Sequence, residues 1–272
     1  MEDQVLRVTV DRRGVARLTM NRPTVRNAFD EELIGALCDA MGAIAGDSGV
    51  RVVVLTGAGG AFCAGADLNM MRRAASFSDN ENKDDARRLA HMLRAIYDSP
   101  KPVIARVNGP ALGGGVGVVC ACDVAVAVEE SFFALSEVRL GLVPAVISPF
   151  VVRAMGPRPA RRYFLTAERF DAEEAKRLGV VHKVVMGAQL DDAVDETVEK
   201  MLLAGPHALS ASKDLIRRVA YEPITDGVME ETAGLIAGIR ASDEGKEGVG
   251  AFLEKRPPAW INAGAEDDAG SS

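Results

Sequence analysis

Two glycine-rich stretches, GAGGAFCAGAD at 57–67 and NGPALGGGVG at 108–117, each follow a short run of aliphatic residues and precede a helical pattern. The runs ahead of them, VRVVVLT at 50–56 and PVIARV at 102–107, lack the polar–apolar alternation of a half-exposed strand. Each is therefore expected to be buried on both faces. Strand, tight turn and helix in repetition favour a layered α/β core with mainly parallel strands. Residues 5–10 and 15–20 read as a hairpin turned by Asp11-Arg12-Arg13-Gly14. Asp30 is placed to cap a helix whose apolar face carries Leu33, Ile34, Leu37, Cys38, Met41 and Ile44. The spacing predicts an amphipathic helix over 83–98 and strands over 123–128 and 132–135. The polar segment 75–85, ASFSDNENKDD, is expected to be a mobile surface loop.

Beyond about residue 147 the strand signals thin out. Residues 157–165, 172–178, 189–204, 206–220, 224–240 and 242–253 read as helices punctuated by Gly or Pro, and only 180–185 looks extended. The expected organisation is an α/β core over 1–190, a helical region over 191–260 and a disordered tail over 261–272, which has nothing to bury. No internal repeat is visible.

Composition removes several classes of function. The 272 residues carry 32 basic and 39 acidic side chains, a net charge of −7, which argues against a general nucleic-acid binder. No apolar run reaches the ~18 residues of a membrane span. The N-terminal stretch is charged from residue two and lacks an apolar signal core, so a cytoplasmic location is expected. Cys38, Cys63, Cys120 and Cys122, with three distant histidines, show no metal spacing and read as reduced core residues. No metal site is expected. His91 reads as a packed or surface residue, and Ser210 and Ser212 near His207 lack the strand–turn–helix context of a nucleophilic serine.

The 27 glycines remain to be explained. A dinucleotide fingerprint fails, because Phe62 stands where its third glycine belongs and no acidic residue ends a second strand ~20 positions on. No Gly-Lys-Ser/Thr phosphate loop occurs. Taken together, the two turns expose backbone N–H groups at helix N-termini, where the dipole favours a negative atom. Two such groups aimed at one point would form an oxyanion hole. The alternative is a pair of purely structural tight turns.

Four segments in register bear on that choice. Ala61-Phe-Cys-Ala-Gly-Ala-Asp-Leu68, Asn108-Gly-Pro-Ala-Leu-Gly-Gly-Gly115, Cys122-Asp123 and Asn21-Arg-Pro-Thr-Val-Arg-Asn-Ala28 together resemble the crotonase (enoyl-CoA hydratase/isomerase) superfamily, over residues 5–260. The resemblance implies a ββα spiral core, a helical C-terminal trimerisation region and an acyl-CoA thioester as ligand. No separate cofactor is implied, since CoA arrives with the substrate. The backbone N–H groups of Ala66 and Gly114 would be the oxyanion donors. Ala28, Ala64, Asp67, Leu68 and Asn69 would line the substrate channel, Arg26 would lie near the CoA phosphates, and Phe252 and Lys255 would complete the adenine end. Glu137 matches one of the family's two usual acid/base carboxylates, whereas the other position holds Gly117.

A single carboxylate is simplest for a Δ3,Δ2-enoyl-CoA isomerase, which moves one proton between carbons. The longer stretch 135–153, continuing through 161–171, resembles instead the bacterial 3-methylglutaconyl-CoA and γ-carboxygeranoyl-CoA hydratases of leucine and acyclic terpenoid breakdown. Hydration of a branched, carboxylated enoyl-CoA is the expectation adopted. Water would be activated by Glu137 itself or by the substrate's distal carboxylate in the space vacated at Gly117. Arg139, Arg153, Arg161 and Arg162 are candidates to meet that carboxylate. A non-catalytic acyl-CoA-binding subunit is the third reading. The apolar residues Val228, Leu235, Ile236 and Ile239 fit burial between subunits, and the resemblance implies a homotrimer or a dimer of trimers.

Overall fold

A six-stranded sheet forms the centre of the molecule, seen in a computed structural model that describes residues 4–262. The strands β1 (Leu6–Val10) and β2 (Val15–Met20) make the expected antiparallel hairpin. Then β3 (Val52–Gly57), β4 (Val103–Val107), β6 (Val124–Val128) and β9 (Lys183–Val185) join in parallel, in the order β1-β2-β3-β4-β6-β9. A smaller sheet pairs β5 (Ala111–Leu112) with β7 (Phe132–Ala134) in parallel, and β7 with β8 (Phe170–Asp171) antiparallel.

Every residue of β3 is buried, and its alternation sends side chains to two separate apolar layers. Val53 and Leu55 enter the main core with Leu33, Leu37, Met92 and Phe62, under α1 (Glu31–Gly46) and α3 (Asp79–Tyr97). Val52 and Val54 face the other way with Ile104, Val126, Leu190 and Val194, the last two from α8 (Leu190–Leu202). Between these come α2 (Leu68–Ala74), α4 (Gly114–Ala121), α5 (Ser148–Met155), α6 (Pro157–Thr166) and α7 (Ala172–Arg177). The chain closes with α9 (Pro206–Val219), α10 (Asp226–Ala241) and α11 (Asp243–Glu254).

Three expectations are corrected. Residues 79–85 are not loop: Ser78 and Glu81 form a reciprocal capping box that starts α3 at Asp79. Ser148–Met155, which carries no helical signal in the reading above, is α5, with Pro149 in the first turn and Val151 and Met155 buried four residues apart. Helix α8 packs on the sheet, so the core runs past residue 190 to about 202. Of the expected tail over 261–272, residues 261 and 262 end a short helix, Ala259–Asn262, and 263–272 lie outside the described residues.

Candidate active site

The first turn leaves the C-terminal end of β3 and is held by two asparagine side chains. Asn27 is fully buried with φ 56°, and its Nδ2 donates to the carbonyls of Ala58 and Ala61, each at 2.9 Å. Asn108 works from β4, accepting from Gly57 N–H at 3.2 Å and donating to Gly59 O at 2.8 Å. Gly57 has no alternative here, because a Cβ would stand 2.4 Å from the carbonyl oxygens of Ala61 and Phe62.

The chain then runs between two neighbours. Phe29 N–H donates to Gly65 O at 2.7 Å and Asp67 N–H to Phe29 O at 2.8 Å, while Leu112 N–H donates to Cys63 O at 2.9 Å. The turns of residues 63–67 and 110–114 thus lie side by side. A Cβ on Gly65 (φ 89°) would be 3.9 Å from the Gly113 Cα. Among the described residues, the N–H groups of Ala66 and Gly114 have no hydrogen-bond acceptor. Gly113 (φ 48°) reverses the chain so that Gly114 opens α4, where the first N–H groups have no intrahelical partner.

Glu137 reaches the same place from β7. Gly113 N–H donates to Ala134 O at 2.8 Å, and three residues later Glu137 opens a 3-10 turn. Its Oε1 stands 3.1 Å from where a Gly113 Cβ would be, and its Oε2 is buried without a partner. Burial raises its pKa above the ordinary carboxylate range, with no cation opposing the shift. Leu140, Leu142 and Val143, just beyond it, are exposed.

Arg26 and Ala64 line a cavity of about 470 Å³ with Pro23, Ala61, Leu112 and Phe132. Leu68 and Asn69 are exposed on the first turn of α2. Five of the expected ligand residues are placed otherwise. Asp67 is buried. Its carboxylate accepts from Asn69 N–H at 2.7 Å and from Arg22 Nη2 at 3.0 Å, and against the cost of burial these hold its pKa down. It caps α2, with both carboxylate oxygens engaged inside the protein. Ala28 is buried and gives its carbonyl to Arg22. Gly117 vacates no space, because Ile147 fills the position its side chain would take. Phe252 lies in α11 and Lys255 is its C-terminal cap; Gly248 of the same helix packs on Trp260, whose carbonyl accepts from Arg51 just before β3. That is the end of the strand opposite Gly57, and neither Phe252 nor Lys255 lines the cavity.

Arg22, Asn27 and Ile147 are the site-building residues that the sequence reading misses. Arg22 also binds Asp30 at 2.8 Å, so one guanidinium joins the caps of α1 and α2. The signal was available: two aspartates at helix N-caps and a nearby arginine in the turn of residues 21–28. Among the described residues no cluster of His, Cys, Asp and Glu could hold a metal, and no helix is long and apolar enough to cross a membrane.

Two free N–H groups beside a desolvated carboxyl suit a reaction in which a carbonyl oxygen gains charge while a proton moves. The comparisons give that class its family. The description "Enoyl-CoA hydratase/isomerase" matches residues 11–263, and the chain belongs to this family, within the crotonase superfamily. It is 36% identical over 253 residues to a putative enoyl-CoA hydratase of Thermus thermophilus, covering 93% of this chain and all of that one. It is 35% identical to the 2,3-dehydroadipyl-CoA hydratase of Escherichia coli, over 90% of this chain and 94% of the relative. The crystal structure of an enoyl-CoA hydratase from Shewanella pealeana superposes with a TM-score of 0.91 at 41% identity, covering 94% and 96% of the two chains. The protein is an enoyl-CoA hydratase-type enzyme of acyl-CoA thioesters.

Proposed function

We propose that the protein adds water across the double bond of a branched, carboxylated enoyl-CoA, with 3-methylglutaconyl-CoA as the candidate substrate. The observation that carries this reading is the placement of Glu137, with an unpartnered buried oxygen, beside two unpaired backbone donors. The thioester oxygen would accept from the N–H groups of Ala66 and Gly114 and gain negative charge as water attacks C3. Glu137 takes a proton from that water as its oxygen bonds to C3, then delivers the proton to C2 as the enolate collapses. Hydroxyl and hydrogen are added and the carboxylate is regenerated. Losing one oxyanion donor typically costs about 3 kcal/mol of transition-state stabilisation. CoA comes with the substrate, and Arg26 and Ala64 would hold part of it in the 470 Å³ cavity. The enzyme would work as a trimer or a dimer of trimers. Phe252 and Lys255 would then reach CoA only across a subunit boundary.

Assistance from the substrate's own carboxylate in a void at Gly117 is withdrawn, since Ile147 fills it. Support for a carboxylated substrate comes from the 135–153 resemblance and from the E. coli relative named for dehydroadipyl-CoA. Among the four candidate arginines, Arg139 fits best. It shares the 3-10 turn of Glu137 and is exposed, whereas Arg162 is paired with Glu168 and Arg153 stacks on Tyr221. The Δ3,Δ2-isomerase reading keeps one specific support, the single carboxylate, because proton removal at C2 and return at C4 need no other. Incubation with 3-methylglutaconyl-CoA, crotonyl-CoA and 3-hexenoyl-CoA, followed by thioester absorbance, separates the readings. Turnover of the first supports branched hydration, turnover of the third alone supports the isomerase, and binding without turnover supports a scaffold.

A further inference from the structure

We infer that Ile147, seated against Gly117, is a specificity-determining residue that limits this site to one carboxylate and so assigns both proton movements to Glu137. Gly113 caps α4 and Gly117 lies four residues on, its N–H donating to Gly113 O at 3.2 Å. Glu137 stands over the first of them and Ile147 over the second. A Cβ on Gly117 would lie 2.4 Å from Ile147 Cγ2 and 2.8 Å from Ile147 Cβ. The second distance decides the matter. A rotamer change can move a Cγ, but the Cβ of Ile147 is placed by its backbone, and a β-branched side chain has few rotamers to offer. That backbone is fixed, because the Ile147 carbonyl accepts from the N–H groups of Phe150 and Val151, each at 3.1 Å, as α5 begins. Ile147 is 2% exposed and belongs to the main core with Val116, Val151 and Phe133. Any side chain at 117 and isoleucine at 147 therefore exclude each other.

The other acid in the two turns cannot serve in its place. Asp67 has Arg22 and two backbone N–H groups on its carboxylate. Hydration needs a proton taken from water and a proton given to C2. With one carboxylate both steps pass through the same group, so hydroxyl and hydrogen enter from the same face of the double bond.

The catalytic half of this inference rests on Glu137 being the proton carrier, so the test has a part that needs no substrate. In a thermal-melting cycle, Gly117→Ala should lower Tm by several degrees in the wild type, and by much less when Ile147 is already glycine, which removes the Cβ and leaves the Cα at 3.7 Å. Losses that simply add would overturn the exclusion. The second part compares Gly117→Glu with Gly117→Glu/Ile147→Gly. The single variant should be inactive or unfolded. The double variant should hydrate crotonyl-CoA at least tenfold faster than Ile147→Gly alone, and its pH–rate profile should gain a second ionisation. A double variant with the profile of Ile147→Gly would overturn the one-carboxylate assignment. Absence of turnover in every variant, wild type included, would overturn the proposed hydration and leave the melting cycle to decide the packing.

Discussion

The two glycine turns do one job by different physical means. The first is held by polar side chains that read its backbone: Asn27 and Asn108 from either side, and Arg22 through Asp67. The second is held by close packing, with Phe29 against Gly114, Cys63 against Gly115 and Ile147 against Gly117. A turn fixed by hydrogen bonds keeps room around some of its glycines. Gly60 would place a Cβ in open space, whereas Gly115 would drive one to 2.6 Å from Cys63 O. The proposed oxyanion pair would take one donor from each kind of turn, so its geometry would depend on a polar network and on a packed core at once.

The largest expected effect tests whether both turns serve one reaction. Glu137→Gln should lower kcat by about 10²–10⁴-fold, the usual range for a general acid–base group, and full activity would refute the role. Because burial raises the folded-state pKa of Glu137, the wild-type rate should fall on the acid side with an apparent pKa above the ordinary glutamate value. The stability sign is opposite. A raised carboxylate contributes fully below its unfolded pKa and loses that contribution as pH rises through the folded one. Glu137→Gln should therefore melt higher than wild type at neutral pH, and the margin should vanish in acid.

Breaking the polar network comes next. Arg22→Met would leave Asp67 buried and charged without its partner, at a cost of about 3 kcal/mol, and Asp67→Asn in the same chain should recover part of it in denaturant titration. Since Asp67 has a lowered pKa, its contribution in the wild type is present above the unfolded value and is lost as pH falls. A smaller pair of changes sharpens the contrast in packing. Gly115→Ala should cost about 1–3 kcal/mol from overpacking, while Gly60→Ala stays within about 0.5 kcal/mol. Equal losses at the two positions would remove the distinction between the turns. The smallest effect is expected of Arg26→Ala, a rise in KM of roughly three- to tenfold with kcat unchanged, the signature of lost uniform binding.

Much of this was legible from periodicity. The run before the first turn became a fully buried strand, the run before the second is buried but for half-buried Arg106, and Asp30 caps α1 as its position before Leu33 suggests. Local signals failed where two features overlapped. The polar composition of residues 75–85 masked the Ser78–Glu81 capping box, and the valines around Pro149 hid α5. In the candidate site, the backbone donors and Glu137 were named by the family resemblance rather than by spacing, and the fold brings them side by side. The roles of Asp67 and Gly117 were not legible, because they depend on Arg22, 45 residues away, and on Ile147 from another helix. Long-range pairs of that kind leave no trace in the spacing of one chain.

Gly60 has a practical consequence for measurement. It lines the cavity shared with Arg26, and its missing side chain would point into free space. The four native thiols are poor nucleophiles near neutral pH, since burial raises each of their pKa values, Cys63 and Cys120 to about 12. A cysteine introduced at position 60 would thus react with a maleimide dye against a nearly silent background. The label would sit at the cavity wall and report ligand entry by fluorescence, even for a thioester that the enzyme holds without converting.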